Sequence, residues 1–144
     1  MDKNVLFVCA GNTCRSPMAE FILKAKRPDL NVHSAGLCAL KDFPMSRGAQ
    51  LALKNSGFDT ADISKFRSRQ INQDDLKKDN IIFVMNTFIK DSLARMGWYE
   101  KVYVLGGKDI DDPYGKGLED YQYILTIIEN AIDFELKNRK GLSN

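Results

Sequence analysis

At 144 residues the chain has room for one domain with a proper core and is short for two. Its 44% hydrophobic and 28% charged content is ordinary for a soluble globular protein and excludes global disorder. A formal net charge of +2, with no stretch that gathers Lys and Arg while excluding acids, argues against nucleic acid as a partner.

Met1-Asp2-Lys3-Asn4 leads straight into Val5-Leu6-Phe7-Val8. That apolar run is too short for a secretory h-region and has no small-residue cleavage site. As a continuous run it reads as a strand buried on both faces of a parallel sheet. Ala10-Gly11-Asn12-Thr13 follows, then Ser16-Pro17, which reads as an N-cap with proline at the first helical position. The predicted helix runs from about Pro17 to Lys26, with Met18, Phe21, Ile22 and Ala25 at helical spacing, and Pro28 ends it. A second strand is predicted over Asn31–Ala35, and a loop then passes Gly36 and Pro44. Ala49–Lys54 reads as a helix closed by Gly57, Ile81–Met85 as a third strand, and Thr87–Met96 as a helix stopped by Gly97. Val102–Leu105 is a fourth strand and Leu118–Lys137 a long amphipathic helix. The basic clusters Lys77-Lys78 and Lys137-Asn138-Arg139-Lys140 read as solvated helix faces.

Strands alternating with helices imply right-handed crossovers and a four-stranded parallel sheet with helices on both faces. The expectation is a single-domain, three-layer α/β sandwich spanning residues 1–144. No apolar run approaches the roughly 20 residues needed to span a bilayer, so no membrane partner is expected and the cytoplasm is the expected location. Three cysteines, an odd number, argue for reduced thiols rather than a disulfide framework.

In such folds ligands bind beyond the carboxyl ends of the strands, which directs attention to the loop after the first strand. Cys9 ends that strand and Arg15 stands just before the helix, five residues intervening. A loop at a helix N-terminus can turn successive backbone N–H groups toward an oxyanion and add the helix dipole, with no metal. The same field favours a thiolate, the reactive form of cysteine. An arginine at the end of the loop can hold two phosphoryl oxygens at once. Gly11 opens backbone conformations closed to other residues, and Ser16 can donate a hydrogen bond to the sulfur. Phosphoryl transfer also needs a proton for the leaving group. Asp112 is the acidic residue singled out, because Pro113 stiffens its backbone and Gly115 permits a turn. Taken alone, Asp-Pro-Tyr-Gly reads equally well as a plain turn.

The run from Val8 to Glu20, Val-Cys-Ala-Gly-Asn-Thr-Cys-Arg-Ser-Pro-Met-Ala-Glu, closely resembles the signature of the low-molecular-weight protein tyrosine phosphatase family. Ser34-Ala35-Gly36 and Asp112-Pro113-Tyr114-Gly115 extend the resemblance over nearly the whole chain. It implies that Cys9 attacks phosphorus to form a phosphocysteine and that Arg15 binds the phosphoryl oxygens. Asn12, Ser16 and Ser34 would hold the loop in shape. Asp112 would act as general acid and then base, with Asp111 as its natural control. Residues 10–14 (Ala10, Gly11, Asn12, Thr13, Cys14) and Ser16 would surround the phosphoryl group, and Tyr114 would stack on the substrate side chain. The partner implied is a phosphorylated protein, with no cofactor and no metal, and the protein would be a monomer or a weak homo-oligomer. A disulfide between Cys9 and Cys14 that protects the nucleophile is a further implication; the alternative is a packed Cys14 thiol. Cys38 reads as structural or incidental.

The chain departs from the family pattern in three places. Tyr114-Gly115 stands where many relatives carry two tyrosines. Phe66-Arg67-Ser68-Arg69-Gln70 lacks the usual histidine, and Asn86 replaces a frequent aspartate. His33, the single histidine, reads as a strand-surface residue. Thr13 stands where many tyrosine phosphatases have a bulkier aliphatic residue and resembles family members acting on phosphoarginine. Phosphotyrosine is the expected substrate, with phosphoarginine the alternative. Arsenate reduction would need a late pair of cysteines, and none follows Cys38. A non-catalytic phosphate-binding module would need neither a thiol nor an acid.

Overall fold

The computed structural model describes residues 3–77 and 80–142, without the side chains of residues 76, 77 and 80. Met1, Asp2 and Lys78 of the Lys77-Lys78 cluster lie outside the described residues. Strands β1 (Asn4–Cys9), β2 (Asn31–Gly36), β3 (Asn80–Val84) and β4 (Val102–Val104) form one sheet in the order β2-β1-β3-β4. All three pairings are parallel, with Phe7 beside Ser34 on one side and Phe83 on the other.

Val5 to Cys9 are all buried, as a central strand covered on both faces requires. Helix α1 (Arg15–Lys26) carries the chain from β1 to β2, and a later helix, Thr87–Arg95, carries it from β3 to β4. These crossovers travel in opposite directions across the sheet, so the same right-handed connection sets their helices on opposite faces. On one face Leu23 of α1 and Ile132 of the C-terminal helix close over Phe7 and Phe83. Those two rings stack with centroids 5.8 Å apart and are essentially unexposed; each such burial stabilises the fold by roughly 1.5–3 kcal/mol. The predicted three-layer α/β sandwich is the architecture observed. Because the chain leaves β1 and β3 in opposite directions, a crevice opens beyond their carboxyl ends. Cys9 lies at its edge.

The remaining elements are α2 (Arg47–Asn55), α3 (Thr60–Lys65), α4 (Asp74–Lys77), α5 (Thr87–Arg95), a 3-10 turn (Leu105–Gly107) and α6 (Leu118–Asn138). Helices α3 and α4, six and four residues long, were not anticipated, because segments that short display no helical period. Asp59 caps α3 by accepting from the backbone N of Ala61 and Asp62. Leu105 belongs to the 3-10 turn rather than to β4. Helix α1 starts at Arg15, two residues before the expected start, and its N-cap is Cys14 rather than Ser16. Ser16 cannot cap because its hydroxyl is engaged by the loop. Pro17 still sacrifices no helical bond, since the first four N–H groups have no intrahelical acceptor.

Candidate active site

Cys9 closes β1 with its sulfur 2.9 Å from Ser16 Oγ, and it accepts the backbone N–H of Asn12 at 3.3 Å. Asn12 is the pivot of the loop and is wholly buried. Its Nδ2 donates to Ser16 Oγ and Ser34 Oγ, both at 2.9 Å, and its Oδ1 accepts from Arg69 N at 2.9 Å. Every polar atom of the amide is therefore satisfied without water. Ser34 in turn donates to Glu20 Oε1 at 2.6 Å, and Lys24 Nζ donates to Glu20 Oε2 at 2.6 Å. The donors fall in order along this chain. Ser16 Oγ accepts from Asn12, which leaves its own hydrogen for the sulfur of Cys9.

The left-handed residue of the loop is Asn12, at φ 56°, and not Gly11, which has no positive φ. Asparagine tolerates that conformation better than most side chains, and four hydrogen bonds hold it there. The glycine that the site requires for space is Gly36. A Cβ there would stand 2.7 Å from Ala10 O and from Ala39 Cβ, and 3.1 Å from Asn12 N. The close approach lets the chain after β2 bind the outer side of the loop. Leu37 N donates to Cys9 O and Cys38 N to Ala10 O, while Ser46 N donates to Thr13 O, each at 2.9 Å. Those three carbonyls are thereby engaged by the surrounding chain, the arrangement a loop needs if it is to offer an anion its N–H groups. Gly36→Ala is expected to lose about 2–3 kcal/mol of stability, measured by urea unfolding, because backbone and not a flexible side chain must yield. A loss below about 0.5 kcal/mol would show that the loop can retreat freely.

Arg15 is buried, 4% exposed. Its Nη1 donates to Ile110 O at 2.8 Å and its Nη2 stands 3.7 Å from Asp112 Oδ2. Among the described residues its Nε is the buried side-chain nitrogen or oxygen with no protein partner. A guanidinium tethered at one nitrogen with a buried N–H to spare is suited to an incoming oxyanion. Asp112 is half exposed, at 47%, and its Oδ1 accepts from Tyr114 N at 3.0 Å. That leaves Oδ2 facing Arg15. Gly115 does take a left-handed conformation, at φ 81°. Upstream, Ile110 N donates to Met85 O at 2.8 Å, and Asp109 Oδ1 accepts from Thr87 N and Thr87 Oγ1, both at 2.8 Å. The loop after β4 is thereby brought to the end of β3, beside Arg15.

Tyr114 is exposed, at 72%. Ala10 is exposed, and Gly11 and Thr13 are half-buried. Cys14 is buried and free, its sulfur 3.2 Å from Ser46 Oγ, 3.4 Å from Tyr121 OH and 3.9 Å from Thr13 Oγ1. Burial, helped by the hydrogen bond with Cys14, pushes the Tyr121 hydroxyl up to about 12, so the phenol stays neutral there. Cys9 and Cys38 are also free, Cys38 with an exposed side chain. His33 is exposed on β2. Asn86 serves as the N-cap of α5, accepting from Ile89 N at 2.8 Å, a task asparagine performs as well as aspartate. Ser68 Oγ accepts from Phe43 N at 2.9 Å and donates to Leu40 O, so the segment without a histidine still anchors the neighbouring loop. Among the described residues, no group of three or more His, Cys, Asp or Glu side chains is gathered as a metal site. No helix among them is long and apolar enough to cross a membrane.

Several participants escaped the sequence reading. Glu20 follows Ser16 by one helical turn and so faces the same side of α1, a usable signal. Arg69 and Ile110 act through backbone atoms, which side-chain chemistry does not reveal. Tyr121 lies 107 residues from Cys14 and meets it through the packing of α6.

The sequence profile described as low molecular weight phosphotyrosine protein phosphatase matches residues 4–138. The chain is 36% identical over 123 residues to the low molecular weight protein-tyrosine-phosphatase Ptp of Acinetobacter johnsonii, covering 78% of this chain and 80% of that one. It is 33% identical over 142 residues to a protein-arginine-phosphatase of Geobacillus stearothermophilus, covering 92% and 93%. The crystal structure of the low molecular weight protein tyrosine phosphatase from T. tengcongensis superposes with a TM-score of 0.87 at 35% identity, covering 94% of this chain and 99% of that one. With its loop from Cys9 to Arg15 at the switch point of the sheet, the chain belongs to the low molecular weight phosphotyrosine protein phosphatase family.

Proposed function

We propose that the chain hydrolyses phosphotyrosine in protein substrates through a phosphocysteine on Cys9, as one phosphatase domain spanning residues 1–144. The observation that carries the reading is the Cys9 sulfur, held by Ser16 Oγ and Asn12 N in a loop flanked by Arg15 and Asp112. The Cys9 thiolate attacks phosphorus as the P–O bond to the tyrosyl ring breaks. Asp112 gives its proton to the departing phenolate oxygen, and Arg15 with the loop N–H groups of residues 10–16 takes the phosphoryl oxygens. Asp112, now a carboxylate, accepts a proton from water as that water attacks the phosphocysteine. The S–P bond breaks, inorganic phosphate leaves, and Ser16 and Asn12 receive the thiolate. Every proton and electron pair is accounted for by these residues and water. No cofactor enters. Tyr114, exposed beside Asp112, stacks on the substrate ring, and Cys14 serves as a thiol that can trap an oxidised Cys9. We place the protein in the cytoplasm as a monomer or weak homo-oligomer.

Thr13 favours a second reading, hydrolysis of phosphoarginine. The Geobacillus relative supports it by its name, and the half-buried Thr13 beside Cys14 is less bulky than an isoleucine. The deciding measurement is kcat/KM on matched phosphotyrosine and phosphoarginine peptides, for the wild type and Thr13→Ile. The wild type is expected to prefer phosphotyrosine by about tenfold or more, roughly the 1.4 kcal/mol a single contact can supply. A reversed preference replaces tyrosine by arginine as the substrate. A ratio that Thr13→Ile leaves unmoved removes Thr13 as the filter.

A further inference from the structure

Asp109 lies three residues before Asp112, and neither the family signature nor the phosphatase mechanism assigns it a task. We infer that Asp109 is a positioning residue for the general acid, latching the Asp112 loop to the first turn of α5 through Thr87. The inference rests on Asp112 being that acid, as proposed above.

One carboxylate oxygen of Asp109 accepts both Thr87 N and Thr87 Oγ1 at 2.8 Å. Thr87 N is the first N–H of α5, so the carboxylate also meets the positive end of the helix. The adjacent residue, Ile110, is buried and bonded on both sides of its peptide, by Met85 O to its N and by Arg15 Nη1 to its O. Two residues further, Asp112 Oδ2 faces Arg15 at 3.7 Å. The latch therefore acts on the acid at short range, through the residue that also tethers the guanidinium. Between Asp109 and Asp112 the chain has no slack beyond Ile110 and Asp111. Upstream of the latch, Gly106 and Gly107 are both left-handed, at φ 68° and 79°, so the approach from β4 turns tightly and Asp109 is the next anchor after it. Asp109 and Thr87 are both exposed, so their removal leaves the core intact.

The distinguishing readout is the dependence of kcat/KM on the leaving group. A misplaced acid matters most when the departing oxygen is basic, as in phenyl phosphate, and least for p-nitrophenyl phosphate. Asp109→Ala is expected to lower kcat/KM about tenfold on phenyl phosphate and less than threefold on p-nitrophenyl phosphate. Asp109→Asn keeps an oxygen acceptor for Thr87 and is expected to restore both rates to within about twofold of wild type. Thr87→Val, which removes one of the two donors, should give an intermediate slope and add nothing in the Asp109→Ala background. Asp111→Ala, the exposed neighbour, is the control and should change neither rate. Equal losses on both substrates for Asp109→Ala, or no loss, overturn the latch. So does an Asp109→Asn variant that behaves like Asp109→Ala. If Asp112→Ala steepens the leaving-group dependence and Asp109→Ala does not, the latch alone falls. If Asp112→Ala itself leaves the dependence flat, the acid assignment falls and takes the latch with it.

Discussion

Cys9→Ser is expected to lower turnover of an aryl phosphate about ten-thousandfold or more, while phosphate still raises the melting temperature of the variant. A serine oxygen placed where the sulfur stands keeps the two partners that hold it, Ser16 Oγ and Asn12 N. What it lacks is the ionised form. A thiol reaches its thiolate near neutral pH, whereas a serine hydroxyl needs a base to take its proton. Among the described residues the hydrogen-bond partners of Cys9 are a hydroxyl and a backbone N–H, neither of them a base, and in the proposed mechanism Asp112 serves the leaving group. In that mechanism, binding of phosphate depends instead on Arg15 and the loop N–H groups, which the substitution leaves in place. Turnover and phosphate stabilisation should therefore separate. A Cys9→Ser enzyme within tenfold of wild type would remove Cys9 as the nucleophile. If both properties vanish together, Cys9→Ala decides: phosphate stabilisation retained there would assign the loss to a serine-specific rearrangement of the loop.

The separation also explains which parts of the site were legible in the sequence. Cys9 and Arg15 could be singled out because their chemistry lies in their side chains and their spacing brackets the turn after a buried strand, whereas Asp112 stood out from a plain turn only through the family resemblance. The buried strand before Cys9 and the Ser-Pro start after Arg15 placed the loop at a sheet edge, and the fold agrees. The exchange of roles at Ser16 was not legible. Serine before proline is an ordinary helix cap, and only the tertiary contact with Asn12 and Cys9 draws its hydroxyl away, moving the helix start to Arg15. Gly11 misled for a related reason. Glycine is the usual owner of a left-handed angle, but here Asn12 takes it, its amide held by nearby Ser16 and by two partners from distant segments, Ser34 and Arg69. Contributions from Arg69 N and Ile110 O carry no side-chain signature, so no spacing rule can find them. Helices α3 and α4 are shorter than the period that would reveal them.

Arg15→Lys is expected to lower kcat/KM on an aryl phosphate about 10^3-fold and to weaken inhibition by inorganic phosphate in parallel. The guanidinium performs two tasks at once. Nη1 is spent on Ile110 O at 2.8 Å, which fixes the side chain and ties it to the loop that carries Asp112, while Nε remains buried without a protein partner. A lysine has one nitrogen at the end of a flexible stem. It can hold the Ile110 carbonyl or follow the phosphoryl oxygens, but it cannot present two parallel donors to them. Whichever it chooses, a buried polar group loses its partner, at a cost of about 1–3 kcal/mol before any loss in the transition state. The positive charge itself is kept, so a purely coulombic role for Arg15 predicts a far smaller effect. Measuring kcat/KM together with the inhibition constant for phosphate separates the two. A loss below tenfold in both would mean that charge suffices and that the fork geometry is dispensable. A large loss in kcat/KM with unchanged phosphate inhibition would place the guanidinium's contribution in the transition state alone. The expected parallel loss follows from the proposed role of the buried Nε, which would meet the ground-state anion and the transition state with the same N–H.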